Sequence, residues 1–296
     1  IMGKEINNLY LNGLLNKRTY KGIINVNDEQ AQANVNGFID FRTKRIAADI
    51  VADIKRLNIN YFSGKPGAQV VSGVVDGQVS MTNLNDLNLD ATFRNLNFST
   101  GKQNFLIPNA DLKTYFTNGN RVIDVNAPGA VQGKIAGKYN LADLSGMVTN
   151  GLSKILVGPP PRKLYRGQHF NMEFDVKQGL VSYFQPNVKI PRGALVNGSY
   201  DGNSNNLVLN VDAPTISYIM TSKQEITDAD RALAAANPAY QINPRDRTTR
   251  DSAMVDNLII RINTANLAEQ IFAKVDRAQF NQNVFRDVTL AGHNEN

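Results

Sequence analysis

The chain has 296 residues, 42% of them hydrophobic, which is enough apolar material to build a core and excludes a wholly disordered polypeptide. Its net charge of +6 comes from basic residues interleaved with acids, without the block of like charge that marks a nucleic-acid partner. Cysteine and tryptophan are absent, so disulfides, thiolate metal sites and cysteine nucleophiles are excluded, and no apolar run approaches the roughly 18 residues that a membrane-spanning helix needs.

In chain order, alternation with period two is the recurring pattern. Gly22, Ile24 and Val26 alternate with Lys21, Asn25 and Asn27, and Val35, Gly37, Ile39 and Phe41 with Asn34, Asn36 and Asp40. The two runs predict a hairpin turning around Asp28 and Glu29. Val75, Gly77, Val79 and Met81 lead through residues 83–86 to Leu87, Leu89, Ala91 and Phe93, a second hairpin, and Val131, Gly133, Ile135, Gly137 and Tyr139 repeat the form. Leu144, Val148, Leu152, Ile155 and Leu156 are spaced by three and four, which predicts an amphipathic helix over residues 141–156 that caps an end of the sheet and stops before Pro159-Pro160-Pro161. Ala194, Val196, Gly198 and Tyr200 join Leu207, Leu209 and Val211 through Asp201-Gly202-Asn203-Ser204, where Asp and Gly accept positive φ at low cost.

Residues 222–253 read as a helical and loop insertion projecting from the sheet, with Thr227 as N-cap and Pro238 as stop; strands resume at Leu258, Ile260 and Ile262. Gly37, Gly77, Gly137 and Gly198 sit inside strands, where glycine marks a bend or the close approach of another backbone, and a sheet bent repeatedly at such points curls into a trough. Asn8-Leu9-Tyr10-Leu11-Asn12-Gly13 is echoed by Asp287-Val288-Thr289-Leu290-Ala291-Gly292, as in a window through an array of similar units.

Chemistry-bearing patterns are scarce. His169 and His293 are the only histidines and neither has metal-ligand spacing; His169 sits in a strand opposite the face of Phe170, Met172 and Phe174. No nucleophile elbow or phosphate-binding loop is present, and the absence of tryptophan weakens any carbohydrate-hydrolase reading. The chain is therefore read as a non-enzyme, with no catalytic residue, no metal and no cofactor. Arg162, Lys163 and Arg166 surround Tyr165 after the proline run, which suits a solvated loop or a contact with anionic headgroups.

Several stretches carry a family texture. Residues 20–28 with 36–41, residues 135–144, the segment 192–213, and Asp256-Asn257-Leu258-Ile259-Ile260-Arg261-Ile262-Asn263-Thr264-Ala265-Asn266-Leu267 set short aliphatic strands between Gly, Asn and Asp. This resembles the AsmA-like superfamily, in particular the TamB (translocation and assembly module)-like proteins of Gram-negative bacteria of the Bacteroidota type. The resemblance, joined to the helix and insertion read above, gives an all-β fold over residues 1–296: one elongated antiparallel-type sheet, curled lengthwise into an open apolar groove, with a short amphipathic helix and a helical insertion. It also implies an internal segment of a larger periplasmic protein, anchored in the inner membrane by a part outside this chain, which carries phospholipid between inner and outer membranes. Outer-membrane assembly proteins are the further partners it suggests. The insertion at 222–253 departs from the family pattern.

The groove wall expected on this basis comprises Val75, Val79, Met81, Leu87, Leu89, Phe93, Leu96, Phe98, Leu207, Leu209, Val211, Leu258, Ile260 and Ile262. Each lipid methylene kept from water there is worth roughly 0.8 kcal/mol. Periodicity alone favours an ordinary sandwich or barrel core over a groove, and only the family resemblance reverses that preference. A structural or adhesive β-rich module, and a scaffold that assists outer-membrane proteins by edge-strand pairing, are the other readings.

Overall fold

The computed structural model describes residues 4–101, 103–156, 160–223, 236 and 248–293. Its strands are β1 (Leu9–Asn16), β2 (Thr19–Asn27), β3 (Ala31–Asp40), β4 (Ile46–Asn58), β5 (Val70–Met81), β6 (Asn88–Ser99), β7 (Asn104–Thr117) and β8 (Asn120–Ala127). They continue with β9 (Val131–Lys138), β10 (His169–Val176), β11 (Val188–Lys189), β12 (Ala194–Asp201), β13 (Asn206–Lys223), β14 (Thr248–Asn263), β15 (Ile271–Phe280) and β16 (Asn283–Gly292). Helix α1 (Ile59–Ser63) joins β4 to β5, α2 (Leu144–Leu152) lies between β9 and β10, and α3 (Gln178–Phe184) follows β10.

All strands belong to one antiparallel sheet that is not closed: a meander from β1 to β10, on to β12 and through to β16, with β11 added beside β13. Fifteen strands on that path, at about 4.8 Å per spacing, make the sheet about 70 Å long across its strands. Tight turns drive the meander. Lys17 and Arg18 (φ 43° and 63°) form a two-residue turn between β1 and β2, and Asn118-Gly119 (φ 50° and 76°) does the same between β7 and β8. At the β12–β13 turn the left-handed residue is Asn205 (φ 52°). The expectation that the Asp201-Gly202 pair would supply it is therefore corrected.

Strand register converts the alternation into continuous rows. One row takes a residue from every strand of the path: Gly13, Gly22, Gly37, Ile50, Gly77, Ala91, Leu112, Val125, Gly133, Phe174, Val196, Val211, Ile260, Ala273 and Leu290. Every member is apolar or glycine. A parallel row runs Leu15, Tyr20, Ile39, Ala48, Val79, Leu89, Thr114, Ile123, Ile135, Met172, Gly198, Leu209, Ile262, Ile271 and Gly292. Its one hydrophilic aliphatic member, Thr114, is buried beside Arg121. On the opposite face, Asp90, Lys113, Asp124, Lys134 and Glu173 follow one another strand by strand with alternating charge.

The glycines of the first row form a crease. A Cβ on Gly37 would collide with the Asp49 carbonyl of β4, and one on Gly133 with the Glu173 carbonyl of β10, so neighbouring backbones approach where a side chain would hold them apart. Helix α3 folds back across the face toward β5: Gln69, just before β5, donates from Nε2 to the Tyr183 hydroxyl at 3.3 Å, and Tyr183 also stands beside Phe98 of β6 and Phe105 of β7.

Helix α2 is shorter than the residues 141–156 expected. Residues 141–143 form a 3₁₀ turn, the α-helix ends at Leu152, and Leu156 is exposed. β13 runs to Lys223 and β14 starts at Thr248, with Lys223 opposite Thr248. The insertion is accordingly narrower than 222–253, since both of its flanks continue the β-ladder. The helix expected over residues 227–237 lies outside the described residues, Ala236 excepted.

Candidate functional site

The apolar rows lie on one face, and most of their aliphatic side chains are half-buried. Val75, Val79, Leu89 and Phe93, with Leu209, Val211, Leu258, Ile260 and Ile262, all fall in this class. In a sandwich core the second sheet would cover them. Two local cores interrupt the open face. In the first, α2 lies over Phe170, Tyr200 and Leu207, burying Met147 completely, with Tyr139, Ile123, Ile135 and Met172 around it. The strap 160–168 is pinned across α2 by Asn150, whose Nδ2 donates to the Arg162 carbonyl and whose Oδ1 accepts from the Arg162 N–H, both at 2.7 Å. In the second, Leu180 of α3 packs with Ile107, Ala110, Ala127 and Ala130, while Tyr183 stacks on Phe105 at 5.6 Å and lies 6.4 Å from Phe98.

Toward the β1 end the face opens into a cavity of about 650 Å³. Val26, Ala31, Ala33, Val35, Ile50, Ala52, Ile54 and Leu57 line it, with Ile6 from before β1 and Ile59 and Phe62 of α1; Arg56 is the one charged residue of the lining. Apart from Arg56 and Ser63, this wall offers no hydrogen-bonding side chain to a polar substrate. It is suited to aliphatic chains.

The structure distributes the expected groove residues as follows. Val75, Val79, Leu89, Phe93, Leu209, Val211, Leu258, Ile260 and Ile262 share the apolar face through the register just described. Met81 ends β5 opposite Ile46. Leu96 and Phe98 differ in parity from Phe93, yet all three pack against the α3 core, because Asn95 is left-handed (φ 51°) and reverses the alternation between them. Leu207 is fully buried under α2, and Leu87 caps a 3₁₀ turn, its carbonyl accepting from Arg121 Nη1 at 3.5 Å.

Arg121 is the largest buried side chain, holding the 84–87 loop through the carbonyls of Leu84 (3.3 Å) and Asn85 and stacking on Phe116 at 4.7 Å. Burial lowers its pKa and raises that of neighbouring Tyr139 to about 12. On the outer face Lys113 is raised by its bond to Asp90 (3.0 Å), with Asp111 and Asp124 adding to the effect. His169 is exposed and faces away from Phe170, as expected from alternation. Among the described residues no group of three or more histidine or acidic side chains converges as a metal site would require, and no helix is long and apolar enough to cross a membrane.

The sequence reading missed α1, α3, the strands β1 and β4, and the β15–β16 and β7–β8 hairpins. Asn118-Gly119 was a legible signal for the last; the two short helices have no amphipathic period to find. Comparison with protein-family models, curated proteins and solved structures finds no match.

Proposed function

We propose that the apolar face is a conduit or shield for the acyl chains of phospholipids, and that the chain is a segment of a periplasmic lipid-transfer bridge between inner and outer membranes. The observation that supports this reading is the pair of apolar rows that cross all fifteen strands of the path from β1 to β16 while most of their side chains stay half-buried. A protein that needs only a core stops adding apolar rows where the covering layer stops. Here the rows continue past both helix-covered cores into an aliphatic cavity. Transfer requires no chemistry: chains slide along a surface of uniform apolarity, each methylene worth roughly 0.8 kcal/mol relative to water, and the charged outer face keeps the segment in solution.

Native mass spectrometry of the purified chain, with organic extraction of copurifying material, tests the proposal alongside Leu209→Glu, which places a carboxylate within one of the rows. Phospholipid on the wild type and its loss from a folded variant are expected. A folded wild type that carries no lipid, even after incubation with phospholipid vesicles, would transfer the reading to a structural or adhesive module.

A further inference from the structure

The basic strap after the proline run meets a buried cation from another part of the chain. Tyr165 and Arg166 line a cavity of about 530 Å³ together with Phe116, Arg121 and Lys138, and no acidic residue belongs to the lining. The side chains of Lys138 and Arg166 are exposed, and neither makes a hydrogen bond or ion pair among the described residues.

Arg121 is 1% exposed, yet its guanidinium bonds to no carboxylate. Its Nη groups donate to the carbonyls of Leu84, Asn85 and Leu87 and to the Thr114 hydroxyl, while its buried Nε–H has no acceptor. Neutral acceptors shield a charge without balancing it, and a buried cation is ordinarily paired. The acids around the cavity are engaged elsewhere: Asp86 accepts from Arg45 Nη1 at 3.0 Å, and Asp143 from Gln168 Nε2 at 2.9 Å. Burial therefore outweighs the field of Asp86 and lowers the Arg121 pKa. Register explains the open space. Arg121 stands directly opposite Gly137 of β9, which faces Phe170 of β10, so the cross-strand position beside the guanidinium carries no side chain. Two residues from Ile123, Arg121 shares the apolar face, next to the core beneath α2.

We propose that this cavity binds a phosphate group, held among Arg121, Lys138 and Arg166 beside the apolar face. A phosphate brings close to two negative charges and three acceptor oxygens, which suits three cations with no acid between them; a carboxylate balances only one. Lys138 and Arg166 supply charge-assisted hydrogen bonds, and Arg121 supplies a fixed positive charge. The phosphate belongs to a free anion or ester, or to the headgroup of a phospholipid whose chains lie on the face. Only the second source rests on the lipid reading; the site itself does not.

Isothermal titration calorimetry of the full chain at low ionic strength, where charges are least screened, uses inorganic phosphate and dihexanoyl phosphatidic acid, a lipid short enough to stay monomeric. Phosphate is expected to saturate one site. Lys138→Gln with Arg166→Gln should weaken it at least ~10-fold, and Arg162→Gln with Lys163→Gln, which removes the same charge from residues outside the lining, should leave it within about twofold. All four side chains are exposed, and hydrogen exchange confirms that each variant keeps the wild-type sheet. Arg121 holds the 84–87 loop and is left in place. Phosphatidic acid bound at least ~10-fold tighter than phosphate identifies a lipid headgroup as the ligand, and equal binding identifies a free phosphate group. Saturation by neither probe, binding that survives Lys138→Gln with Arg166→Gln, or equal weakening by the two double variants would each overturn the proposal.

Discussion

Tyr139 and Arg121 show how a single buried group shapes the fold's response to its environment. The Tyr139 hydroxyl donates to the Ile135 carbonyl at 3.4 Å in the core beneath α2, and burial pushes its pKa to about 12. An acid whose folded pKa is raised holds its proton after the unfolded chain, at about 10, has lost it. The stability it contributes is intact below about pH 10 and is lost as pH climbs toward 12. Tyr139→Phe should flatten that part of the profile, measured as urea midpoints across this range, and should remove one late-titrating tyrosinate from the ultraviolet absorbance titration. A wild-type slope retained in Tyr139→Phe would assign the alkaline loss to another group. Asn95 shows a residue whose conformation exceeds its chemistry. Left-handed backbone at one asparagine brings Phe93 and Leu96, three apart, to the same core, and no count of alternating residues reveals it.

At the scale of elements, the helices are lids whose attachment is local. α2 has few capping bonds of its own, since neither its N-cap nor that of the preceding 3₁₀ turn makes a side-chain hydrogen bond. Its position depends on Met147 below and on the Asn150–Arg162 pair above. Asn150 is 3% exposed and makes both of these bonds, so Asn150→Ala removes two hydrogen bonds to the backbone of the exposed Arg162 and is expected to cost about 1 kcal/mol. Denaturant titration gives the cost, and accelerated proteolysis within residues 160–168 locates it. Unchanged cleavage would mean that the strap is held by Leu164 packing instead.

Over the whole molecule, stability is concentrated in the middle. The buried apolar side chains fall between Ala31 and Ala213, and among the described residues none lies in β1, β2, β14, β15 or β16. Edges with few buried contacts open at low free energy. Hydrogen exchange is expected to proceed from both ends inward, with amides of β8, β10 and β12 slowest and those of β2 and β15 faster by at least ~100-fold. Uniform protection along the path would show instead that the sheet opens as one unit. Occupancy of the apolar face by lipid would slow the flanks selectively, because the half-buried rows there have the most area left to cover.

What the sequence by itself determined is the β class, the hairpins at 22–41, 75–93 and 194–211, and which aliphatic residues share a face within one strand. Alternation is a local property with a local cause, the pleat. The echo between residues 8–13 and 287–292 also has a physical basis: Asn8 and Asp287 are both left-handed, with φ 54° and 50°, and each stands at or near an edge strand. Only the tertiary structure decided that these faces join into rows across fifteen strands, because register depends on the turns and bulges between strands. It also decided that Leu207 lies under α2 while Leu209, two residues on, remains half-buried. Periodicity states that a face will be covered; the packing of helices and neighbouring strands determines which part of it is left open.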